Sequence, residues 1–220
     1  MIIDHTHPMY RVKLDDLGTD RYNGAYYYSK EIVNNIIPRI KTDRNWITVN
    51  VYGHGCDHAI VFIHNNLNPQ NYDWLVQYRD LILVCGIEET CKKVRHLGRT
   101  IYLPLSIDTE YVRQFRLPKE KRSGIAYAGR PGKRREYDFP EETVFLEGLP
   151  REQLLQEMAH FDTVFAVGRT AIEAKCLGCK LKAYDERYPS VSRWKILDNK
   201  KAAKMLQKKL DEIEEEGKHG

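Results

Sequence analysis

The sequence has no apolar run approaching eighteen residues, which excludes a membrane-spanning helix. It begins MIIDHTHP, without the basic block and apolar block of a secretory signal, so an intracellular, cytoplasmic protein is expected. Cysteine is sparse: five in 220 residues, at the irregular positions 56, 85, 91, 176 and 179. An odd number at such spacing excludes a secreted disulfide framework, and reduced thiols are expected. Internal repeats and extended low-complexity segments are also missing.

What is present suits a globular chain, with 42% hydrophobic and 30% charged residues, long enough for one large domain or two small ones. The net charge of +4 is mild, but it is unevenly placed. Residues 1–110 hold 12 Lys/Arg and 13 Asp/Glu, whereas 111–220 hold 23 and 18. The basic excess of the second half suits an anionic ligand, either a nucleotide diphosphate or a nucleic-acid backbone, and suits a solvated basic surface equally well.

Short β-rich runs alternate with helical patterns, which predicts an α/β fold with largely parallel sheets. Predicted strands are Met9–Leu14, Trp46–Val51, Ala59–Ile63, Leu81–Cys85 and Thr100–Leu103, then Ile125–Ala128, Val144–Leu146, Thr163–Val167 and Lys180–Tyr184. Tyr22-Asn23-Gly24-Ala25 reads as a turn into a helix whose stripe is Ile32, Val33, Ile36 and Ile37, with Pro38 as its end or kink. Further helices are predicted from Glu88 to Leu97, from Pro150 through Leu154, Leu155, Met158 and Phe161, and from Asn199 with Ala202, Leu206, Leu210 and Ile213 on one face. The run from Arg113 to Ser123 is charged, contains Pro118 and has no apolar period. It predicts a boundary near residue 120, with domains 1–120 and 121–220.

The stretch AVGRTAIEAKCLGCKLKAYD, 166–185, reads as a strand end, a turn at Gly168, a helix opened or capped by Thr170 and ended by Gly178, and another strand. A helix that starts just beyond a parallel strand aims unpaired N–H groups and the positive end of its dipole at the sheet's carboxyl edge, which favours an anion. Arg169 can add a charge-assisted donor to a phosphate, and Glu173 can accept from sugar hydroxyls. An Arg169–Glu173 surface pair at i, i+4, worth a few tenths of a kcal/mol, fits the spacing equally well. A second strand end of this kind is IAYAGRPGKRR, where Gly129 permits close backbone approach and Arg130 and Lys133 can neutralise a diphosphate.

YAGR after a strand, then GLPREQLLQEMAHFD, a strand, and GRTAIEAKCLGCKLKAYD together resemble the donor-binding half of a GT-B-fold, group 1-like glycosyltransferase. DLILVCGIEETCKKVRHLGRTIYLPLSIDTEYV resembles a passage of the preceding half, so the likeness covers roughly residues 80–185. It implies two Rossmann-like domains in a GT-B-like arrangement, and transfer of a sugar from a nucleotide-sugar donor to an acceptor, without a further cofactor and without a metal. By the same resemblance Arg130 and Lys133 meet the diphosphate with Gly129, Gly168, Arg169 and Thr170 alongside, Glu173 holds the ribose, and Asn23 and Gly24 lie on the acceptor side. The chain departs from the pattern at Phe165, where retaining members carry a glutamate, and in a second half short by one or more strand–helix units.

His64, following Val61-Phe62-Ile63 at a strand's carboxyl end, is a candidate general base, with Asp108 a second; a hydrogen-bonded structural histidine fits the position equally. Asp4-His5-Thr6-His7 with His54 and His58 resembles the metal ligands of an eight-unit barrel, but 220 residues broken near 120 do not accommodate that barrel. Cys176-x-x-Cys179 lacks a second pair to complete a zinc site and sits at a helix end, away from the dipole that activates thiols, so core packing is expected. Two alternatives remain beside the transferase: a degenerate relative that binds a nucleotide or nucleotide sugar without catalysis, and a transferase whose acceptor is DNA, approached by Lys133-Arg134-Arg135 and the lysine-rich final helix.

Overall fold

A computed structural model describes residues 24–48, 57–63, 75–130 and 137–218. The predicted strand Met9–Leu14, the histidines His5, His7, His54 and His64, and Asn23, Lys133, Arg134 and Arg135 lie outside the described residues. The chain divides into two compact units, Met1–Leu105 with Asn199–Gly220, and Ser106–Asp198. Among the described residues each is α/β with a four-stranded, all-parallel, Rossmann-like sheet.

In the first unit the strands β1 (Asn45–Ile47), β2 (Ala59–Ile63), β3 (Leu81–Cys85) and β4 (Arg99–Tyr102) lie in the order β1-β2-β3-β4. AIVFI and LILVC are uninterrupted apolar runs rich in β-branched residues, and all ten side chains are buried, as strands covered on both faces require. β4 buries only Ile101 fully and lies at the sheet edge. Helix α2 (Glu88–Val94) begins with Glu88 and Glu89 and ends near Lys92 and Lys93, in accord with its dipole, then tightens into a 3-10 turn at Arg95–Leu97. Gly98 is required next, because a Cβ there would stand 2.7 Å from the Leu81 carbonyl oxygen.

The predicted helix near residue 32 is α1 (Gly24–Glu31), continued by a π turn at Ile32–Ile36 and a 3-10 turn at Ile37–Arg39. The Ile37 N–H reaches back to the Ile32 carbonyl, so the expected stripe is re-spaced: Ile32 and Ile36 are buried, while Val33 and Ile37 are only partly covered. The long helix numbered α6 in chain order (Asn199–Lys218) belongs to this first unit. Ala202, Ala203, Leu206 and Leu210 form its buried stripe. Asn199 Nδ2 donates to Glu31 Oε2 at 2.5 Å, the Gln207 amide both accepts from the Lys41 N–H and donates to its carbonyl, and Arg99 donates to the Ile213 carbonyl.

At the amino edge of the same sheet, Arg44, His58 and Asp80 immediately precede β1, β2 and β3. His58 and Asp80 both adopt φ of 54°, a left-handed conformation that costs a non-glycine residue about 1–2 kcal/mol. The conformation is held by a 2.6 Å bond between His58 Nδ1 and Asp80 Oδ2, a 3.3 Å contact from His58 Nε2 to Asp43, and two bonds from Arg44 to Asp80, one to its carbonyl and one to its carboxylate.

The second unit holds β5 (Ile125–Gly129), β6 (Val144–Glu147), β7 (Thr163–Phe165) and β8 (Lys180–Lys182) in the order β6-β5-β7-β8. Helix α4 (Arg151–Met158) joins β6 to β7, and α5 (Gly168–Leu177) joins β7 to β8. The two pack on each other and on the sheet, as right-handed crossovers running in one direction require. An aromatic group gathers around Tyr127 and Phe165. Phe139, Phe145 and Tyr184 ring Tyr127 with centroids 5.0–5.8 Å away, and Tyr137 and Phe139 meet Phe165.

The division falls at Leu105/Ser106 rather than near residue 120, and the charges of the 113–123 run explain why. Helix α3 (Thr109–Arg113) packs on α5, and Arg122 donates to the Gly178 carbonyl at the α5 C-terminus. Arg116 and Arg122 crowd Gly178 closely enough that a Cβ there would meet both. What reads as a charged linker is a cationic cap on the negative end of a buried helix.

Candidate functional site at the carboxyl edge of the second sheet

From β5 the chain moves one way to β6 and then back across β5 to β7, so the strand order reverses between β5 and β7. In open parallel sheets such a reversal leaves a crevice beyond the carboxyl ends of the two strands. The two strand ends singled out in the sequence lie at this reversal. Tyr127 pairs with Phe165 in register, so Gly129-Arg130 and Gly168-Arg169 leave the sheet from neighbouring strands at the same edge.

Gly168 has φ of +64°, which explains the glycine at the turn. It also opens α5, two residues before Thr170, and the residue ahead of it, Val167, supplies no capping side-chain bond. Thr170, half-buried, therefore sits inside the first turn rather than at the cap. The far end closes as expected: Gly178 is left-handed, with its N–H on the Lys175 carbonyl and that of Cys179 on Ala174, a Schellman ending. Gly129 has a local explanation too. A Cβ there would stand 2.5 Å from the Tyr127 hydroxyl, which donates to the Arg130 carbonyl at 2.9 Å. Arg130 itself is exposed.

Arg169 and Glu173 do pair at i, i+4, with Arg169 NH2 to Glu173 Oε1 at 3.2 Å, but not on the surface: their side chains are 4% and 5% exposed. A third residue joins them. Arg151, the first residue of α4, directs Nε to the same Oε1 at 3.2 Å, and its guanidinium lies over the Tyr111 ring at 5.2 Å. Arg151 was not foreseen from sequence, although GLPRE repeats the pattern read at Gly168: a strand end, a turn, and an arginine at a helix start. Asp108 serves this corner indirectly, as the N-cap of α3, accepting from the Tyr111 N–H at 3.0 Å.

The remaining candidates are dispersed. Gly24 is the first residue of α1 in the other unit. Cys176 and Cys179 are buried free thiols that turn to different partners, the Thr109 and Met158 carbonyls, and burial pushes the Cys179 thiol up to about 11. They are packing residues. Among the described residues no group of three or more His, Cys, Asp or Glu is arranged to hold a metal ion, and no helix is long and apolar enough to cross a membrane. Asp185, beyond β8, is buried and clasped by Arg187 through two side-chain bonds of 2.8 Å. Burial lowers the Lys175 pKa, and its ammonium ties α5 to the Val191 and Trp194 carbonyls. Of the final-helix lysines, Lys200, Lys201 and Lys204 are exposed, while Lys208 and Lys209 pair with Glu212.

No protein-family model matches this sequence, and no curated protein matches it.

Proposed function

We propose that the chain is a glycosyltransferase of GT-B type, its first unit serving the acceptor and its second binding a nucleotide-sugar donor. The observation that carries this reading is the placement of Gly129-Arg130 and Gly168-Arg169 at the carboxyl ends of adjacent parallel strands, where the strand order reverses. Positive charge and the α5 N-terminus are gathered there, and both stabilise a departing diphosphate. In the transfer, an acceptor oxygen forms a bond to the anomeric carbon as the bond from that carbon to the diphosphate oxygen breaks. The acceptor proton passes to a base, for which His64 is the candidate, since Asp108 is engaged as a helix cap.

The test is release of nucleoside diphosphate on incubation with uridine, guanosine, adenosine and thymidine diphosphate sugars, with and without acceptor mixtures. Turnover is expected with one nucleotide class. Arg130→Ala, at an exposed position that leaves folding intact, is expected to reduce it at least tenfold; unchanged turnover removes Arg130 from the site. A second reading, nucleotide binding without transfer, is favoured by Phe165. At the position where retaining relatives of the resemblance carry a glutamate, its ring is 2% exposed and packed against Tyr137 and Phe139. Saturable diphosphate binding with no release from any nucleotide sugar decides for that reading.

A further inference from the structure

The helix α6 carries its charges in the reverse of the order that its own dipole favours. Residues 200–209 hold five lysines and no acid, and residues 211–216 hold five acids and no base. A helix dipole favours acids at the amino end and lysines at the carboxyl end. α2 follows that rule, with Glu88 and Glu89 first and Lys92 and Lys93 last, whereas α6 starts with Lys200 and Lys201 and finishes near Glu214, Glu215 and Glu216. Burial of Ala202, Ala203, Leu206 and Leu210 accounts for the helix but not for this order, because the charges lie on its other face. Lys201, Met205, Lys208, Glu212 and Glu215 follow one another at spacings of four and three, so they form one stripe, with Lys204 beside it. All of them are exposed except Glu212, which is partly covered. Met205, at 44%, is among the described residues the one large apolar side chain of α6 that is exposed.

We propose that this face of α6 is a self-association surface, on which a second copy of the chain lays its own α6 antiparallel. Twenty residues of helix span about 30 Å, long enough for the lysine half and the acid half to act as separate blocks. A two-fold axis at Lys208 sets Lys201 of each copy opposite Glu215 of the other and Lys204 opposite Glu212, and every contact is made twice. The two Met205 side chains flank the crossing. Each Lys208 there leans on its own Glu212 at 3.8 Å, which reduces repulsion between the central lysines. A parallel pairing would oppose lysine to lysine and acid to acid. A nucleic acid would meet the five lysines, but the five acids in line with them repel its phosphates; a second copy uses both halves. The order that disfavours the isolated helix is the order that a matched antiparallel pair requires.

The experiment is sedimentation velocity on the full chain from micromolar to near-millimolar concentration, at about 0.05 M and about 0.5 M salt. At the lower salt the wild type is expected to dimerise, and at the higher salt to do so about tenfold more weakly, since the opposed charges are open to water. Lys201→Glu with Lys204→Glu makes the face acidic throughout, and Glu212→Lys with Glu215→Lys makes it basic throughout. Each double variant alone is expected to sediment as a monomer, and the two mixed are expected to form a heterodimer at least as tight as the wild-type dimer. A merely structural role for these charges would not be rescued by mixing. A wild type that stays monomeric at low salt overturns the proposal, as does a dimer that either double variant leaves intact. A monomeric wild type that binds a duplex oligonucleotide, with binding lost in Lys201→Glu with Lys204→Glu, assigns the lysines to a polyanion instead. If one double variant does not fold, as judged by circular dichroism, the salt dependence of the wild type and the self-association of the other variant decide.

Discussion

Two clusters of charge, one in each unit, pair basic with acidic side chains at opposite edges of their sheets. At the amino edge of the first sheet, Arg44, His58, Asp80 and Asp43 balance one another, and apart from buried Arg44 they are largely open to water. Every bond there ties the start of one strand to a residue beside another, so the cluster fixes register. At the carboxyl edge of the second sheet, Arg151 and Arg169 stand in the first turns of α4 and α5 and share the buried carboxylate of Glu173, which lies mid-helix. The two clusters differ in their edge: strand beginnings offer neighbouring chain to be joined, whereas strand ends followed by helices lie in a positive field, which suits the ligand proposed above.

That contrast can be broken most sharply at Glu173. Replacing it with alanine leaves the buried Arg169 guanidinium and the half-buried one of Arg151 without their shared carboxylate, and the expected loss is about 3–5 kcal/mol in urea or thermal unfolding. A loss below about 1 kcal/mol would mean that the carboxylate is not the keystone of its cluster. A smaller effect is expected at Asp80. Asp80→Ala removes the partner of both His58 and Arg44 at a half-exposed position and is expected to cost about 1–2 kcal/mol, with pyrophosphate affinity unchanged. Altered affinity would erase the distinction between a fastening edge and a binding edge.

The smallest effect is a pH dependence. His58 is raised above its ordinary 6.5, chiefly by its bond to Asp80 and then by Asp43, against opposing burial. Asp43 is lowered from 3.8 chiefly by its bond from His58. At Asp80 burial works upward, but the bonds from His58 and Arg44 outweigh it and the result is again below 3.8. The histidine contribution is therefore complete below about pH 6.5 and fades as pH rises through its raised value, whereas the carboxylate contributions are complete above about pH 3.8 and fade as pH falls through their lowered values. Between those limits the cluster contributes most. Unfolding free energy measured from pH 6 to 8 should fall in the wild type and fall less in Asp80→Asn.

Much of the scaffold was readable because its signals are local. AIVFI, LILVC, the Glu88–Leu97 helix and the start of the Asn199 helix lie where periodicity and caps put them. The strand Thr163–Val167 is shorter than read, since Val167 serves as the N-cap of α5 and β7 ends at Phe165. The boundary was misplaced because Arg116 and Arg122 look the same whether they face water or close a helix end. Of the candidate site, the glycine turn at Gly168 and the strand end at Gly129 were legible. The burial of Glu173 was not, because i, i+4 spacing is identical on a surface and in a core; what buries the pair is packing around α5, and its third member, Arg151, comes from 22 residues upstream.

The second unit begins and finishes at one place. Ile107 forms a parallel bridge to Asp198, and Thr109 donates to the Asp198 carboxylate at 2.8 Å. To the first unit, residues 106–198 are thus a closed loop, and the entropy of closing a loop grows only slowly with its length. Insertions or deletions inside it leave the first sheet nearly indifferent. Chain order adds a temporal asymmetry: α6, whose Leu206 and Leu210 complete the first core, is synthesised after the whole of the loop. The half that leaves the ribosome earlier is the half that must wait to be finished.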